Sequence, residues 1–204
     1  NIILVIDDYH GFMAIPINLS NLSDTTFYLA GSYKYAQGGE GCCFMLVPKN
    51  SKLRPRDTGW FAQIGGLANL KIGEKVSYPE NEFRFAGSTM DFSGLYRLNA
   101  VFKEFNKNNI TVNQIHSFIQ TQQKTFLDEL DQCSHPVINK QNLVVKDLNQ
   151  CGHFLTFECK SVETAVNLQK EFEQRGLIVD GRGSRLRFGF GLYQPECFNL
   201  NKYL

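Results

Sequence analysis

The sequence predicts a mixed α/β fold in two parts, a sheet-bearing segment over residues 1–94 and an α+β module over residues 95–204. Three observations predict it. The chain opens on "NIILVID", a continuous apolar and β-rich run. Two more short strand-like runs, "TTFYLAG" and "CCFMLVP", follow with almost no helix between them. From Leu95 onward, segments with helical apolar stripes alternate with short strand-like segments.

Each element has its own reason. "NIILVID" reads as a strand buried on both faces of a mostly parallel sheet, and Asp7-Asp8 ends it. Such a strand needs neighbours on each side. Three strands with so little helix do not cover a sheet, so the chain reads as the later part of a larger α/β domain. "DFSGLYRLNAVFKEFNKNNI" carries Leu95, Leu98, Val101, Phe102 and Phe105 on one helical stripe, with Ser93 as the expected N-cap. "TVNQIHSFIQTQQKTFLDELDQC" repeats the pattern with Ile115, Phe118, Ile119, Phe126, Leu127 and Leu130. "NLVVKDL" and "HFLTFEC" read as strands. Ser161 opens the next helix, with Thr164 in place of a capping-box carboxylate, and Gly176 closes it in a left-handed cap. "LIVDGRG" and "RLRFGFG" finish the module as strands around a glycine-rich turn.

Composition narrows the function classes. At 204 residues and 43% hydrophobic, the chain is long enough for a real core and fits one or two small domains. A formal net charge of +1 gives no reason to invoke nucleic acid or a membrane surface as partner. No apolar run reaches spanning length. The six cysteines form no C-x-x-C pair, which argues against a disulfide framework or a zinc site and for reduced thiols in the cytoplasm. Cys133-Ser134-His135 and Cys151-Gly152-His153 read as structural.

The stretch with chemistry in it is "FYLAGSYKYAQGGEGCCF". Lys34 stands between Tyr33 and Tyr35 in a loop rich in glycine, and no Lys-Ser/Thr follows those glycines as a Walker loop would require. Asp7 closes the first strand, where α/β sheets present ligand-binding groups, and His10 follows three residues on. A lysine that forms an imine needs a partly dry pocket. A carboxylate facing a protonated ring nitrogen makes that ring an electron sink. One lysine, one aspartate and a glycine cradle form the set that a pyridoxal-phosphate site requires. Asp8 is the alternative to Asp7, and Arg182 and Arg185 are alternatives to the arginine discussed next.

The order of motifs resembles the later half of the fold-type I pyridoxal-phosphate enzymes of the class V aminotransferase superfamily, kynureninase-like branch. "IDDYH" resembles its D-x-x-H, "SYKYAQGGEG" its S-Y-K-Y with trailing glycines, and "TGWFA" its G-W-F. "RGLIVDGRGSRLRFGFGLYQ" resembles its closing segment. The resemblance implies a partial large domain with a mostly parallel sheet over 1–94 and an α+β C-terminal small domain over 95–204. It implies Lys34 as the Schiff-base lysine, Asp7 on the pyridinium nitrogen and His10 beside the cofactor. Tyr33, Trp60 and Thr89 (or Ser88) become phosphate ligands, and Arg187 the anchor of a substrate carboxylate. The implied partners are a small amino acid and a second copy of the intact protein. The chain departs from the kynureninase branch at Gly87-Ser88-Thr89, where that branch has an asparagine followed by prolines. It departs from the cysteine desulfurases in having no cysteine within "VDGRGSRLR". A plain class V aminotransferase and a non-catalytic fragment are the competing readings.

Overall fold

A computed structural model describes all residues except 1, 21, 23, 70–72, 74–76, 195–199 and 204. Asn1 of the first expected strand therefore lies outside the described residues. The chain divides into two compact units, one of Asn1–Phe12 and Ile17–Glu104, the other of Met13–Pro16 and Phe105–Leu204.

The first unit holds a three-stranded sheet of β1 (Leu4–Asp7), β2 (Thr26–Gly31) and β3 (Cys43–Leu46), in that order. β1 runs parallel to β2, with Asp7 opposite Leu29. β3 runs antiparallel to β2, with Gly31 opposite Cys43. β2 is the buried centre, and Phe27, Tyr28 and Ala30 are nearly inaccessible. β1 departs from the expected burial on both faces. It has a neighbour on one edge, and Ile3, Leu4 and Val5 are each more than half exposed. The described residues of this chain supply no layer over it.

Helix α1 (Ser93–Lys107) begins in this unit. Ser93 is its first residue rather than its cap. The Asp91 carboxylate accepts the Ser93 N–H at 2.8 Å, and bonds from the Ser93 hydroxyl and N–H hold Asp91 below the usual carboxylate range. Of the expected stripe, Leu98 is buried and Leu95 is exposed. Phe102 meets Phe12 edge-on, which in turn packs against Phe44 of β3.

The second unit is an antiparallel sheet with two helices. Thr111 caps α2 (Val112–Cys133) through a complete capping box with Gln114. Ser161 caps α3 (Val162–Gln174) and accepts the Thr164 N–H at 3.1 Å. Gly176 ends α3 with φ of 85°, and the Leu177 N–H returns to the Phe172 carbonyl at 2.8 Å. The sheet places β6 (Arg185–Gly189) between β4 (Phe154–Glu158) and β5 (Asp180–Arg182). Phe126 of α2, Phe157 of β4 and Phe172 of α3 all converge on Phe188 of β6, at ring separations of 5.3–5.8 Å. These buried aromatic contacts form the centre of the core.

"NLVVKDL" is not a strand. Only Leu143 bridges to Phe157, and the Val144 N–H adds one bond to the Thr156 carbonyl. Asn139 and Asp147 each turn a side-chain oxygen onto nearby backbone N–H groups and set short 3-10 turns on either side. Those local bonds compete with a ladder and end it. The two Cys-x-His pairs are structural. His135 Nδ1 accepts the Ile138 N–H at 2.8 Å, and the Cys151 thiol reaches the Val145 and Asp147 carbonyls.

His153 is 2% exposed and stacks on His116. Burial, and then the neighbouring His116, push its pKa down to about 4, against a bond to the Ala14 backbone that opposes the shift. Folding thus lowers the proton affinity of His153. Between about pH 6.5 and pH 4 the unfolded chain binds more protons, so stability falls as pH falls through that window. Melting temperature recorded from pH 7 to pH 4 is expected to decline, and to decline less in His153→Gln. Parallel declines in both proteins would remove His153 as the cause.

Candidate functional site

Lys34 sits three residues beyond β2 in the turn that returns to β3. The turn is closed by its own bonds. Ser32 N–H donates to the Cys42 carbonyl at 2.9 Å, Gly38 N–H to the Ser32 carbonyl at 2.8 Å, and the Ser32 hydroxyl to the Gly39 carbonyl at 2.6 Å. Gly39 and Gly41 take φ of 69° and 93°, values that favour glycine. What approaches this loop closely is α1. A Cβ on Gly94 would stand 2.5 Å from the Gly41 carbonyl carbon, and one on Gly38 would stand 3.1 Å from a Leu98 methyl. Arg97 of α1 then donates to the Gly38 carbonyl at 3.3 Å and to the Glu40 carbonyl. Most of the loop's glycines thus serve its docking against a helix.

The lysine amine is held among rings. Lys34 Nζ lies 2.9 Å from Nε2 and 3.1 Å from Nδ1 of His10. It also stands 5.5 Å from the centre of the Tyr33 ring. Tyr33 packs on Tyr9 at 5.6 Å. The hydrogen bond of Tyr9 with the Cys43 thiol, followed by burial, pushes its phenol up to about 12. Tyr9 has no expected role from the sequence; its one signal there is its place inside "IDDYH", beside His10.

The two adjacent aspartates are separated by their partners. The Tyr28 hydroxyl donates to Asp8 Oδ2 at 2.5 Å, and burial raises the Asp8 pKa against that bond. Asp7 is exposed at the end of β1, and its carboxylate accepts the Tyr9 N–H at 3.3 Å. Asp8 is thus committed to the sheet, and Asp7 keeps acceptor capacity for a ligand. Asp7 makes no hydrogen bond to Lys34 or His10 among the described residues.

The segments that carry Trp60 and Thr89 meet by backbone at residues 58–61 and 86–88. A Cβ on Gly59 would fall 2.3 Å from the Gly87 carbonyl carbon and 2.5 Å from the Ser88 nitrogen. Phe61 N–H donates to the Gly87 carbonyl at 3.0 Å, and the Thr58 hydroxyl to the Ala86 carbonyl at 2.6 Å. Trp60 is half exposed and meets Phe61 edge-on, and Thr89 is exposed. Arg84, three residues before Gly87, is only 5% exposed. It donates to the carbonyls of Leu53 (2.7 Å), Ser51 (2.5 Å), Glu80 (2.5 Å) and Asn81 (2.8 Å), tying residues 51–53 to residues 80–81.

In the second unit, β6 alternates as expected, with Leu186 and Phe188 buried and Arg185 and Arg187 on the opposite face. Arg185 pairs with Glu158 at 2.7 Å, and Ser184 donates to the same carboxylate at 2.5 Å. Arg187 pairs with Asp180 of β5, directly opposite in register, and lies 4.9 Å over the Phe154 ring. It is the least exposed of the three arginines, at 24% against 55% for Arg185 and 74% for Arg182.

No protein-family model and no curated protein matches the sequence. Solved structures do match. An apo cysteine desulfurase from Thermococcus onnurineus NA1 superposes with a TM-score of 0.73 at 16% identity, over 94% of this chain and 48% of its own. A lysine-to-alanine mutant of C-DES, with glycine covalently linked to its PLP cofactor, gives 0.68 at 16% identity, over 88% and 44%. An alanine–glyoxylate aminotransferase from Nostoc sp. gives 0.61 at 10% identity, over 98% and 51%. The chain therefore has the α/β fold of the fold-type I PLP-dependent enzymes. It spans about half the length of the structures it matches. Among the described residues, no cluster of His, Cys, Asp and Glu is arranged to hold a metal, and no helix is long and apolar enough to cross a membrane.

Proposed function

We propose that this chain is the later half of a pyridoxal-phosphate-dependent enzyme acting on a small amino acid, kynureninase-like or a related lyase or hydrolase. The observation that carries the reading is the Lys34 amine set against His10 and Tyr33, with Asp7 left available at the end of β1 while Asp8 is taken by Tyr28. The donor set fits the cofactor: an amine for its carbonyl carbon, a carboxylate for its ring nitrogen, and hydroxyl and indole donors for its phosphate. Bound there, pyridoxal phosphate would supply an electron sink for charge developing at the substrate α carbon.

The residues then have separate tasks. Asp7 would hold a proton on the ring nitrogen. Lys34 would tether the cofactor and, once released, carry a proton to and from the substrate α carbon. His10 would orient the Lys34 amine beside the cofactor. Tyr33, Trp60 and Thr89 would donate to the phosphate, and Arg187 would bind the substrate carboxylate as a fork. With no cysteine between Val179 and Arg187, persulfide chemistry is disfavoured although one of the matched structures is a cysteine desulfurase. A plain aminotransferase is the second reading. It is favoured by Gly87-Ser88-Thr89, a Gly-Thr-like segment where the kynureninase branch has asparagine. The intact protein is proposed to be a cytoplasmic homodimer.

Borohydride treatment of the intact, cofactor-loaded protein is expected to fix a pyridoxyl group on Lys34 alone, read by peptide mapping. Label on another lysine, or no label, would sink the assignment.

A further inference from the structure

We propose that Asp180 is a built-in rival carboxylate that sets the strength of the Arg187 anchor. The inference rests on the reading of Arg187 as the substrate-carboxylate site. Three observations carry it. Asp180 and Arg187 face each other in register on β5 and β6, so the backbone itself delivers one carboxylate to this guanidinium. Arg185, one face-neighbour along β6, has its own separate partner in Glu158, so Asp180 is not needed to neutralise it. Arg182, at the far end of β5, reaches the same Asp180 oxygen at 3.3 Å but is largely exposed, so water screens it.

The physical consequence is specific. Arg187 bonds Asp180 through Nη2, a nitrogen that serves the bidentate edges of a guanidinium. An incoming carboxylate meets an arginine whose charge is already balanced, and it must share or displace the resident one. The Phe154 ring beneath the guanidinium fixes its plane, so Arg187 stays in place when Asp180 lets go. Asp180 thereby lowers the affinity of the anchor for every carboxylate without touching the reacting atoms. It acts through Arg187 and is a positioning and affinity-setting residue.

The test uses intact, cofactor-loaded protein and two probes that condense with the cofactor carbonyl, aminooxyacetate with a carboxylate and methoxyamine without one. Asp180→Asn keeps an oxygen acceptor for Arg187 and removes the charge. It is expected to tighten aminooxyacetate by about five- to tenfold and to leave methoxyamine within about twofold. The salt dependence of aminooxyacetate binding should also steepen, a change that a purely structural role would not produce. If Asp180→Asn binds aminooxyacetate equally or more weakly, while Arg187→Met weakens it, the rival role is wrong and the anchor stands. If Arg187→Met alters neither probe, the anchor itself fails and Asp180 falls with it.

Discussion

Replacing Arg84 by alanine is expected to destabilise the protein by about 3–5 kcal/mol. The guanidinium is buried and serves four backbone carbonyls drawn from residues 51, 53, 80 and 81. Removing it leaves those four carbonyls without their donor, and each unpaired acceptor costs about 1–3 kcal/mol, less whatever water regains by entering. Arg84→Lys is expected to recover only part of the loss. An ammonium has three donors on a flexible stem and cannot span four acceptors set around a planar fork. A drop in melting temperature on the order of 10 °C should accompany the alanine change. A melting temperature within about two degrees of the parent would show that the carbonyls rehydrate freely and that Arg84 is dispensable.

Lys34→Ala has the largest expected effect on chemistry. If Lys34 carries protons at the substrate α carbon, its loss should slow that step by roughly 10²–10⁴-fold. The measurement is exchange of the α hydrogen of L-alanine and other small amino acids in D₂O, which reads the step without knowing the final product. Lys34 is only partly buried, and its loop is closed by backbone bonds and by Ser32, so the variant should melt close to the parent. Exchange within about tenfold of the parent, in a folded variant, would move the proton carrier to another residue.

Local chemistry was legible in the sequence where it depended on short spacing. Lys34 and His10 stand out from "SYKYAQGGEG" and "IDDYH", and the fold brings their nitrogens together. The helices α2 and α3 follow from their apolar periods, and the Ser161 oxygen finds the expected backbone partner at the start of α3. Contacts between distant residues left no such trace. Arg84 looks like any charged residue in "EFRFAG", because the carbonyls it serves at residues 51 and 53 carry no side-chain signature. Asp91 and Ser93 are both good capping residues, and composition alone does not say which one faces the first turn of α1. "NLVVKDL" has strand-like residues, yet Asn139 and Asp147 supply a competing set of local bonds that a propensity reading does not weigh. The apolar run of β1 correctly signals a strand, but its burial depends on what lies beside it, and that is a property of the surroundings rather than of the run.

The seat of the lysine loop on α1 governs the order in which the protein can form. Arg97 reaches Gly38 and Glu40 across 59 and 57 residues of intervening chain. Ordering so long a segment before any contact rewards it is slow, because closure entropy is spent first. The helices, whose contacts are local, form ahead of it. The Lys34 turn, closed by its own short-range bonds, therefore docks on α1 as a late event in folding, after α1 exists and has found it. A polypeptide halted before that docking would carry correct helices and an undocked lysine loop, so recovery of the proposed cofactor binding during refolding should lag behind recovery of helical signal.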